Sequence, residues 1–197
     1  MTPKLIGITG NIGCGKTYVS TLFKQYGIPV FDSDTQAKLL YYTDSIKTPM
    51  TERFGEELFL DGVLNKTYLA QKIFHDADNL AFVEKLLYPT LNKVFVSWAS
   101  QQETPYVLYE SAIIFEKSLV SLFDAIILVT ASEHVRMQRI AQRDGITEEQ
   151  IRAKMNLQWP QEDKIALSDY IIIHEKNDET DYLMQQIAEI DRKIRNR

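Results

Sequence analysis

The segment from Gly10 to Thr17, GNIGCGKT, has the residue types and the spacing needed to bind a polyphosphate. It fits G-x-x-x-x-G-K-[ST], in which backbone N–H groups surround the phosphates, the lysine reaches the β- and γ-phosphates, and the threonine hydroxyl can bind Mg²⁺. An apolar run, Leu5–Thr9, precedes it, and apolar residues at helical spacing follow it. This order places the loop at a helix N-terminus, where free N–H groups and the helix dipole favour an anion. The alternative is a chance glycine-rich turn.

A second group of candidate residues, Asp32-Ser33-Asp34, follows another short apolar run. In a phosphoryl-transfer enzyme one carboxylate can orient Mg²⁺ through water, and another can accept the proton of the attacking hydroxyl. Ser33 or Asp34 could instead cap the next helix. Next to a phosphate-binding loop, the catalytic interpretation is favoured.

Arginines recur at Arg136, Arg139 and Arg143, a spacing that puts them on one face of a predicted helix. Such a row suits a lid that closes over ATP and neutralises charge in the transition state, although a solvated charged face is the common alternative. Glu110 could support the shell of a metal ion or form a surface ion pair. His174 ends a predicted strand, where a structural role is more common than a catalytic one.

The elements that must position these residues indicate an α/β fold. Apolar runs predict strands at 5–9, 28–31, 106–110, 125–130 and 170–174. The predicted fold class is a P-loop NTPase fold with a parallel five-stranded sheet flanked by helices, an inserted helical substrate lobe and a helical lid. Because ligands bind at the carboxyl ends of parallel strands, the candidate residues should meet at one edge of the sheet.

Residues that typically begin or end helices predict where the helices lie between these strands. The first helix should end at Gly27, Ser132 should cap a later one, Thr147 and Gln150 form a capping box, and a closing helix should run from about 180 to 194. Between about 43 and 102 we expect no strand, but three helices: one capped by Asn65, one by Asp78 or Asn79, and one opened by Pro89. The predicted domain is a single one, 1–197, with a core at 1–42 and 104–197, a lobe at about 43–103 and a lid at about 133–158.

The composition limits the class of protein. The chain has 197 residues and a net charge of −5, which argues against a general nucleic-acid-binding surface. Its single cysteine, Cys14, excludes an intrachain disulfide and suits a reducing compartment. No signal peptide or membrane-spanning run is recognised, so we expect a cytoplasmic protein, monomeric or weakly oligomeric. His75 and His134 lack the spacing of metal ligands.

The chain resembles the dephospho-CoA kinases along nearly its whole length. The motifs that carry the resemblance are Ile8–Thr17, Gly27–Asp34, Asp61–Leu64, Ile113–Glu116, Gln138-Arg139 with Gln142–Gly145, Gln158, Lys164 and Ser168–Ile172. The phosphate-binding loop is generic, but the ordered set is specific. The resemblance implies transfer of the ATP γ-phosphate to the ribose 3′-hydroxyl of dephospho-CoA, with Mg²⁺ as cofactor and no nucleic-acid or membrane partner.

The same resemblance implies roles for individual residues. Asp34 would accept the proton, and Asp32 with Thr17 would hold the metal shell. The expected catalytic residues are Lys16, Asp34, Arg139 and Arg143. The expected ATP-binding residues are Asn11, Ile12, Gly13, Cys14, Gly15, Lys16, Thr17, Tyr18 and His174. The expected acceptor-binding residues are Asp34, Lys38, Tyr88, Phe115 and Glu116.

This chain departs from the family pattern at several positions. Members usually carry arginine in place of Lys38, His-Pro in place of Tyr88-Pro89, and Asp-x-Pro in place of Glu110-Ser111-Ala112; an asparagine is common near His174. These changes affect substrate contacts, whereas the parts for phosphoryl transfer are intact.

Other classes make different predictions. Shikimate kinase also has D-S-D after its second strand, but a Gly-Gly pair after the third strand is missing here. Nucleoside and nucleotide kinases carry an arginine-rich signature near strand three that is also missing. A GTP-dependent switch needs N-K-x-D, and Asn65–Tyr68 and Asn92–Phe95 both lack the aspartate. A binding module without turnover would keep Lys16 and tolerate loss of Asp34.

Overall fold

The computed structural model describes residues 2–74, 76–175 and 180–197. Its strands are β1 Lys4–Thr9, β2 Val30–Asp32, β3 Phe59–Leu60, β4 Val63–Leu64, β5 Tyr106–Glu110, β6 Ala125–Thr130 and β7 Tyr170–Ile173. Its α-helices are α1 Lys16–Gln25, α2 Ser33–Leu40, α3 Asp44–Phe54, α4 Lys66–Phe74, α5 Ala77–Ala99, α6 Glu133–Asp144, α7 Glu148–Met155, α8 Gln161–Leu167 and α9 Thr180–Asn196. Short 3₁₀ turns lie at Glu56–Leu58 and Val120–Leu122. The chain forms two compact units, Met1–Asp32 with Ala99–Arg197, and Ser33–Trp98.

The first unit is built on the predicted five-stranded parallel sheet, whose order is β2-β5-β1-β6-β7. Every residue of β5 and β6 is buried, as expected for strands of a parallel sheet covered on both faces. The central position of β1 follows from its register, in which Ile8 lies opposite Glu110 on one side and Ile127 on the other. The α/β fold class is therefore confirmed.

The core of this unit packs helices α1 and α9 against the sheet. Phe23 of α1 and Ile187 of α9 are fully buried with the apolar side chains of β1 and β6. Helix α1 ends just before Gly27, which has a φ of 85° and follows the C-cap Tyr26, as the sequence predicted. These contacts fix the start of α1, and with it the loop that precedes that helix.

The second unit corrects two predictions. The segment expected to lack strands contains an antiparallel hairpin of β3 and β4, joined by Asp61-Gly62, both with positive φ. Such a turn is a hairpin signal, but strands of two residues are too short to show an alternating pattern. The two helices expected around residue 89 are one continuous helix, α5, with Pro89 in its interior.

The helix caps are partly as expected. Asn65 caps α4 by accepting the Tyr68 N–H at 3.1 Å, which confirms that prediction. The first turn of α5 is capped by Asp76, which accepts the Asn79 N–H at 2.9 Å, rather than by Asp78 or Asn79. The capping box of α7 is confirmed in both directions. Among the described helices, none is long and apolar enough to span a membrane.

Candidate active site

The loop between β1 and α1 places Lys16 and Thr17 beside the end of β5. The Lys16 ammonium lies 2.6 Å from Glu110 Oε1, and the Thr17 hydroxyl donates to the same oxygen at 2.8 Å. Glu110 is buried, because Ile8 and the loop flank the strand end on which it stands. The carboxylate therefore fixes the position of both functional side chains of the loop. The environment of Glu110 is a buried ion pair and not the surface pair considered from the sequence.

Asp32 lies at the end of the neighbouring strand, directly opposite Glu110 in the pairing of β2 with β5. Two carboxylates and the Thr17 hydroxyl thus lie at adjacent strand ends, and oxygen ligands of this kind suit Mg²⁺. In the described part of the chain, no three His, Cys, Asp or Glu side chains form a metal cluster. This donor set fits a magnesium ion held largely by water and phosphate oxygens, the usual arrangement in ATP-using enzymes.

Helix α6 packs closely against the phosphate-binding loop. Arg139 donates to the carbonyl oxygens of Cys14, at 3.2 Å, and of His174, at 3.0 Å. Desolvation lowers the pKa of the Arg139 guanidinium from its ordinary value, and arginine side chains remain protonated in proteins. A cation is therefore held at the loop, on the side where β7 ends.

Cys14 and His174 complete the contacts on that side. Burial raises the pKa of the Cys14 thiol, so this side chain is neutral and has a packing role. His174 Nδ1 lies 3.2 Å from the Cys14 carbonyl oxygen, and the His174 ring stacks on Tyr18 with centroids 5.5 Å apart. The exposed Tyr18 ring thus presents aromatic surface next to the loop, on which a planar ring can stack, while the His174 ring is buried behind it.

A segment between α7 and α8 crosses the other side of the loop. Gln158 Oε1 accepts the Ile12 N–H at 2.7 Å, and Asn11 Nδ2 donates to the Trp159 carbonyl oxygen at 2.8 Å. The Trp159 N–H donates to Glu116 Oε1 at 3.1 Å, while the Trp159 ring stacks on Phe115. Phe115 and Glu116 are thereby linked to the phosphate-binding loop through this one segment.

Glu116 also forms a buried ion pair. The Lys164 ammonium lies 2.6 Å from Glu116 Oε1, and the Lys164 side chain is 0% exposed. Removing one partner of such a pair leaves a buried, unpaired charge. The pair therefore anchors α8 to the segment after β5.

Other candidate residues occupy different environments. Arg136 is buried and Arg143 is exposed, with its guanidinium bonded to Asp144 at 2.7 Å, so the three arginines of α6 do not form one uniform face. Ser132 is the N-cap of α6, as predicted, but its hydroxyl donates to Glu175 instead of capping the helix. His134 is exposed, and His75 lies outside the described residues.

The remaining candidates belong to the second unit. Asp34 lies in the first turn of α2 and Lys38 in its last turn, and both are exposed. Tyr88 lies within α5, directly before Pro89, and is half-buried.

Comparison with known proteins decides the family. The model for the family described as dephospho-CoA kinase matches residues 4–180. The chain belongs to the dephospho-CoA kinase family. The dephospho-CoA kinase of Porphyromonas gingivalis is 39% identical over 151 residues, which cover 76% of this chain and 75% of the relative. The dephospho-CoA kinase of Bacteroides fragilis is 35% identical over 187 residues, covering 94% and 90%.

A solved structure has the same fold as this chain. A crystal structure of a Thermus thermophilus protein superposes with a TM-score of 0.84 and 27% identity, and the match covers 98% of each chain. Membership of the dephospho-CoA kinase family confirms the resemblance seen in the sequence.

Several residues of the candidate site had no role predicted from the sequence. Gln158 and Lys164 were recognised only as parts of the family pattern, and Trp159 was not singled out. The polarity pattern around Lys164 predicts the wrong burial, because the apolar neighbours Ile165 and Leu167 are exposed while the lysine is buried. Only the tertiary contact with Glu116 explains this inversion.

Replacing Gly13 by alanine should disrupt the loop. Gly13 has a φ of 84°, and an added Cβ would lie 2.6 Å from the Arg136 carbonyl oxygen, a backbone atom that cannot move aside. We expect Gly13→Ala to lower the free energy of unfolding by about 2–5 kcal/mol and to weaken ATP binding. Urea denaturation and calorimetric titration with ATP measure the two effects.

The matched control is Gly27→Ala. Its φ of 85° is the same, but nothing lies within 4 Å of the added Cβ. It should therefore lose only about 1–2 kcal/mol from backbone strain and keep normal ATP affinity. Equal losses in the two variants would show that the contact with α6 is unimportant.

The buried Lys164–Glu116 pair predicts a second stability effect. Lys164→Met should lower the free energy of unfolding by about 3–5 kcal/mol, because it leaves the Glu116 charge buried without its partner. Adding Glu116→Gln should recover part of that loss. Lys193→Met, which breaks an exposed pair with Glu189, should scarcely change stability. Denaturation showing similar small losses for both lysines would contradict this.

Proposed function

We propose that this protein transfers the γ-phosphoryl group of ATP to the ribose 3′-hydroxyl of dephospho-CoA, which yields CoA and ADP in the last step of CoA synthesis. The observation that carries the proposal is the family match across residues 4–180, which includes the complete phosphate-binding loop. The joint contact of Lys16 and Thr17 with Glu110 supports it, because it orders the two side chains that phosphoryl transfer requires.

ATP would be held by the loop and the surfaces beside it. Lys16 would neutralise the β- and γ-phosphates, and the backbone N–H groups of the loop would surround them. The adenine ring would lie near Tyr18 and His174, because the exposed Tyr18 ring, which stacks on the buried His174, offers an aromatic surface. The proposed ATP-binding residues are therefore Asn11, Ile12, Gly13, Cys14, Gly15, Lys16, Thr17, Tyr18 and His174.

Thr17 and Asp32 would hold Mg²⁺ with the phosphates, and Glu110 would support that shell from its paired strand end. When bound, the ion would neutralise charge on the β- and γ-phosphate oxygens. Thr17 would offer its hydroxyl oxygen directly, and the carboxylates would orient water.

The acceptor would be bound by Asp34, Lys38, Tyr88, Phe115 and Glu116, with the helical lobe at about 43–103 contributing most of the contacts. Asp34 would take the proton of the 3′-hydroxyl as that oxygen attacks the γ-phosphorus. Its place in the first turn of α2, two residues beyond Asp32, supports this role. Phe115 and Glu116 would be positioned by their contacts with Trp159.

The segment at about 133–158 would act as the lid. Arg139 would stabilise negative charge as the phosphoryl group moves, because it is a half-buried cation that already contacts the loop. Arg143 would join it by exchanging its exposed bond with Asp144 for a phosphate oxygen. Lid closure would exclude water from the reacting group.

The setting we propose is the cytoplasm, with the protein a monomer or a weak homo-oligomer. The single thiol, Cys14, is compatible with a reducing compartment. Size-exclusion chromatography with light scattering measures the oligomeric state directly.

ADP release tests the function. The purified protein is mixed with Mg-ATP and, in separate reactions, with dephospho-CoA, shikimate, a set of nucleosides, or no acceptor. We expect ADP release that depends on dephospho-CoA, with CoA identified by mass spectrometry. Turnover with shikimate or a nucleoside, and none with dephospho-CoA, would assign the chain to another small-molecule kinase activity.

A further inference from the structure

A cavity of about 580 Å³ lies beside the phosphate-binding loop, between it, the start of α6 and the segment from Met155 to Glu162. Its lining belongs entirely to the first unit. Asn11 and Arg136 are buried in it, whereas Glu133, Trp159 and Glu162 are exposed. The volume is in the range of small-molecule sites in proteins. Among its lining residues only Asn11 has a ligand proposed above, ATP, and no group of the acceptor has been assigned to this cavity.

Two buried polar atoms at this cavity have no hydrogen-bond partner among the residues that the structure describes. Asn11 is 4% exposed; its Nδ2 donates to Trp159, but its Oδ1 accepts no hydrogen bond from any described residue. Arg136 is 7% exposed, and its Nε has no acceptor within the described part of the chain. Buried polar groups are costly when unpaired. A group that both accepts from Arg136 and donates to Asn11 would satisfy both.

The charges of the lining favour a neutral group over a phosphate. Arg136 contributes one positive charge, while Glu133 and Glu162 contribute two negative charges. Arg152 pairs with Glu133 at 2.9 Å, so the positive and negative charges around the cavity balance. A secondary amide is neutral and carries one acceptor and one donor. The exposed Trp159 ring and Met155 add apolar surface that would pack against methylene groups.

We propose that this cavity binds an amide of the pantetheine arm of the acceptor, with Arg136 and Asn11 as the groups that recognise it. This inference rests on the proposed function, since dephospho-CoA is the substrate that carries such an arm. The position of the cavity agrees, because Asn11 belongs to the phosphate-binding loop and the Trp159 N–H donates to Glu116, a proposed acceptor-binding residue. Arg136 is thus a specificity-determining residue for the pantetheine end of the substrate.

Arg136→Met tests the inference, because methionine keeps the apolar stem and removes the donors. We expect the KM for dephospho-CoA and the inhibition constant of free pantetheine to rise by roughly 10-fold. The KM for ATP and the inhibition constant of AMP, which lacks the arm, should not change. Arg192→Met, at an exposed position of α9, is the matched control and should leave all four constants unchanged.

If Arg136→Met leaves the KM for dephospho-CoA and the inhibition constant of pantetheine unchanged, the inference is overturned. The cavity would then hold only water. A raised KM for ATP alone would assign Arg136 to the nucleotide instead.

A second measurement follows pantetheine binding by tryptophan fluorescence, with Arg136 and Asn11 left unchanged. Pantetheine should change the tryptophan fluorescence of the wild-type protein in a saturable way, and Trp159→Phe should abolish that change while Trp98 still reports folding. A wild-type protein that makes no CoA but shows this response would contradict the proposed function and support the cavity assignment. A protein that makes CoA but shows no fluorescence response to pantetheine would support the proposed function and contradict the cavity assignment.

Discussion

Lys16→Ala is expected to reduce kcat by at least roughly 10²- to 10³-fold, so that turnover is effectively lost. The substitution removes the cation that would neutralise the γ-phosphoryl group during transfer. It also leaves Glu110 buried without the ammonium that lies 2.6 Å away, so stability should fall as well. ADP release with saturating substrates measures turnover, and urea denaturation measures the free energy of unfolding.

The two consequences can be separated with a double variant. Lys16→Ala with Glu110→Gln removes the buried negative charge that Lys16 no longer neutralises, so we expect stability to recover while turnover stays lost. Lys24→Ala, at an exposed position in the last turn of α1, controls for loss of a lysine from the same helix. A wild-type kcat in the single variant Lys16→Ala would disprove the catalytic role of Lys16. Recovery of turnover in the double variant would show that Lys16 contributes only to stability.

Asp34→Asn is expected to lower kcat by roughly 10²-fold or more and to change ATP affinity little. The amide keeps the size of the side chain and its place in the first turn of α2, but it cannot accept the proton of the 3′-hydroxyl. Single-turnover kinetics with dephospho-CoA and calorimetric titration with Mg-ATP separate chemistry from nucleotide binding.

Asp44→Asn is the matched control, because Asp44 is also exposed and lies in the first turn of a helix, α3, in the same unit. It should keep both kcat and ATP affinity. If Asp34→Asn instead weakens ATP binding strongly at an unchanged kcat, Asp34 belongs to the metal shell and another group accepts the proton.

Features of the fold that depend on neighbouring residues could be predicted from the sequence. The continuous apolar run of β6 predicted a central parallel strand, because strands covered on both faces are typically apolar along their whole length. Local capping chemistry was equally readable at Asn65 and at the Thr147–Gln150 box. In these cases the signal lies in neighbouring residues, so no tertiary information is needed.

The exceptions share a physical cause, which is competition from tertiary contacts. Helix α5 continues through Pro89 because Val83, Leu91 and Phe95 on either side of it are buried, which offsets the missing hydrogen bond of the proline. The Ser132 hydroxyl was expected to cap α6, but it donates its hydrogen bond to the Glu175 carboxylate instead.

The same cause limited prediction of the candidate site. Lys16, Thr17 and Asp32 were identified from their own motifs, but the contact that joins Lys16 and Thr17 through Glu110 depends on strand order. The link from Gln158 to Ile12 joins residues 146 positions apart, and no local pattern encodes it.

The strand order also has a consequence for the growing chain on the ribosome. Strand β1 carries the phosphate-binding loop, yet both of its neighbours, β5 and β6, begin only at Tyr106 and Ala125. At translation rates of about 5–20 residues per second, β1 would wait roughly 5–20 s for its first partner. During that interval the β3–β4 hairpin and helices α2 to α4 can form from local contacts alone. The second unit is therefore expected to fold first, and the nucleotide site last.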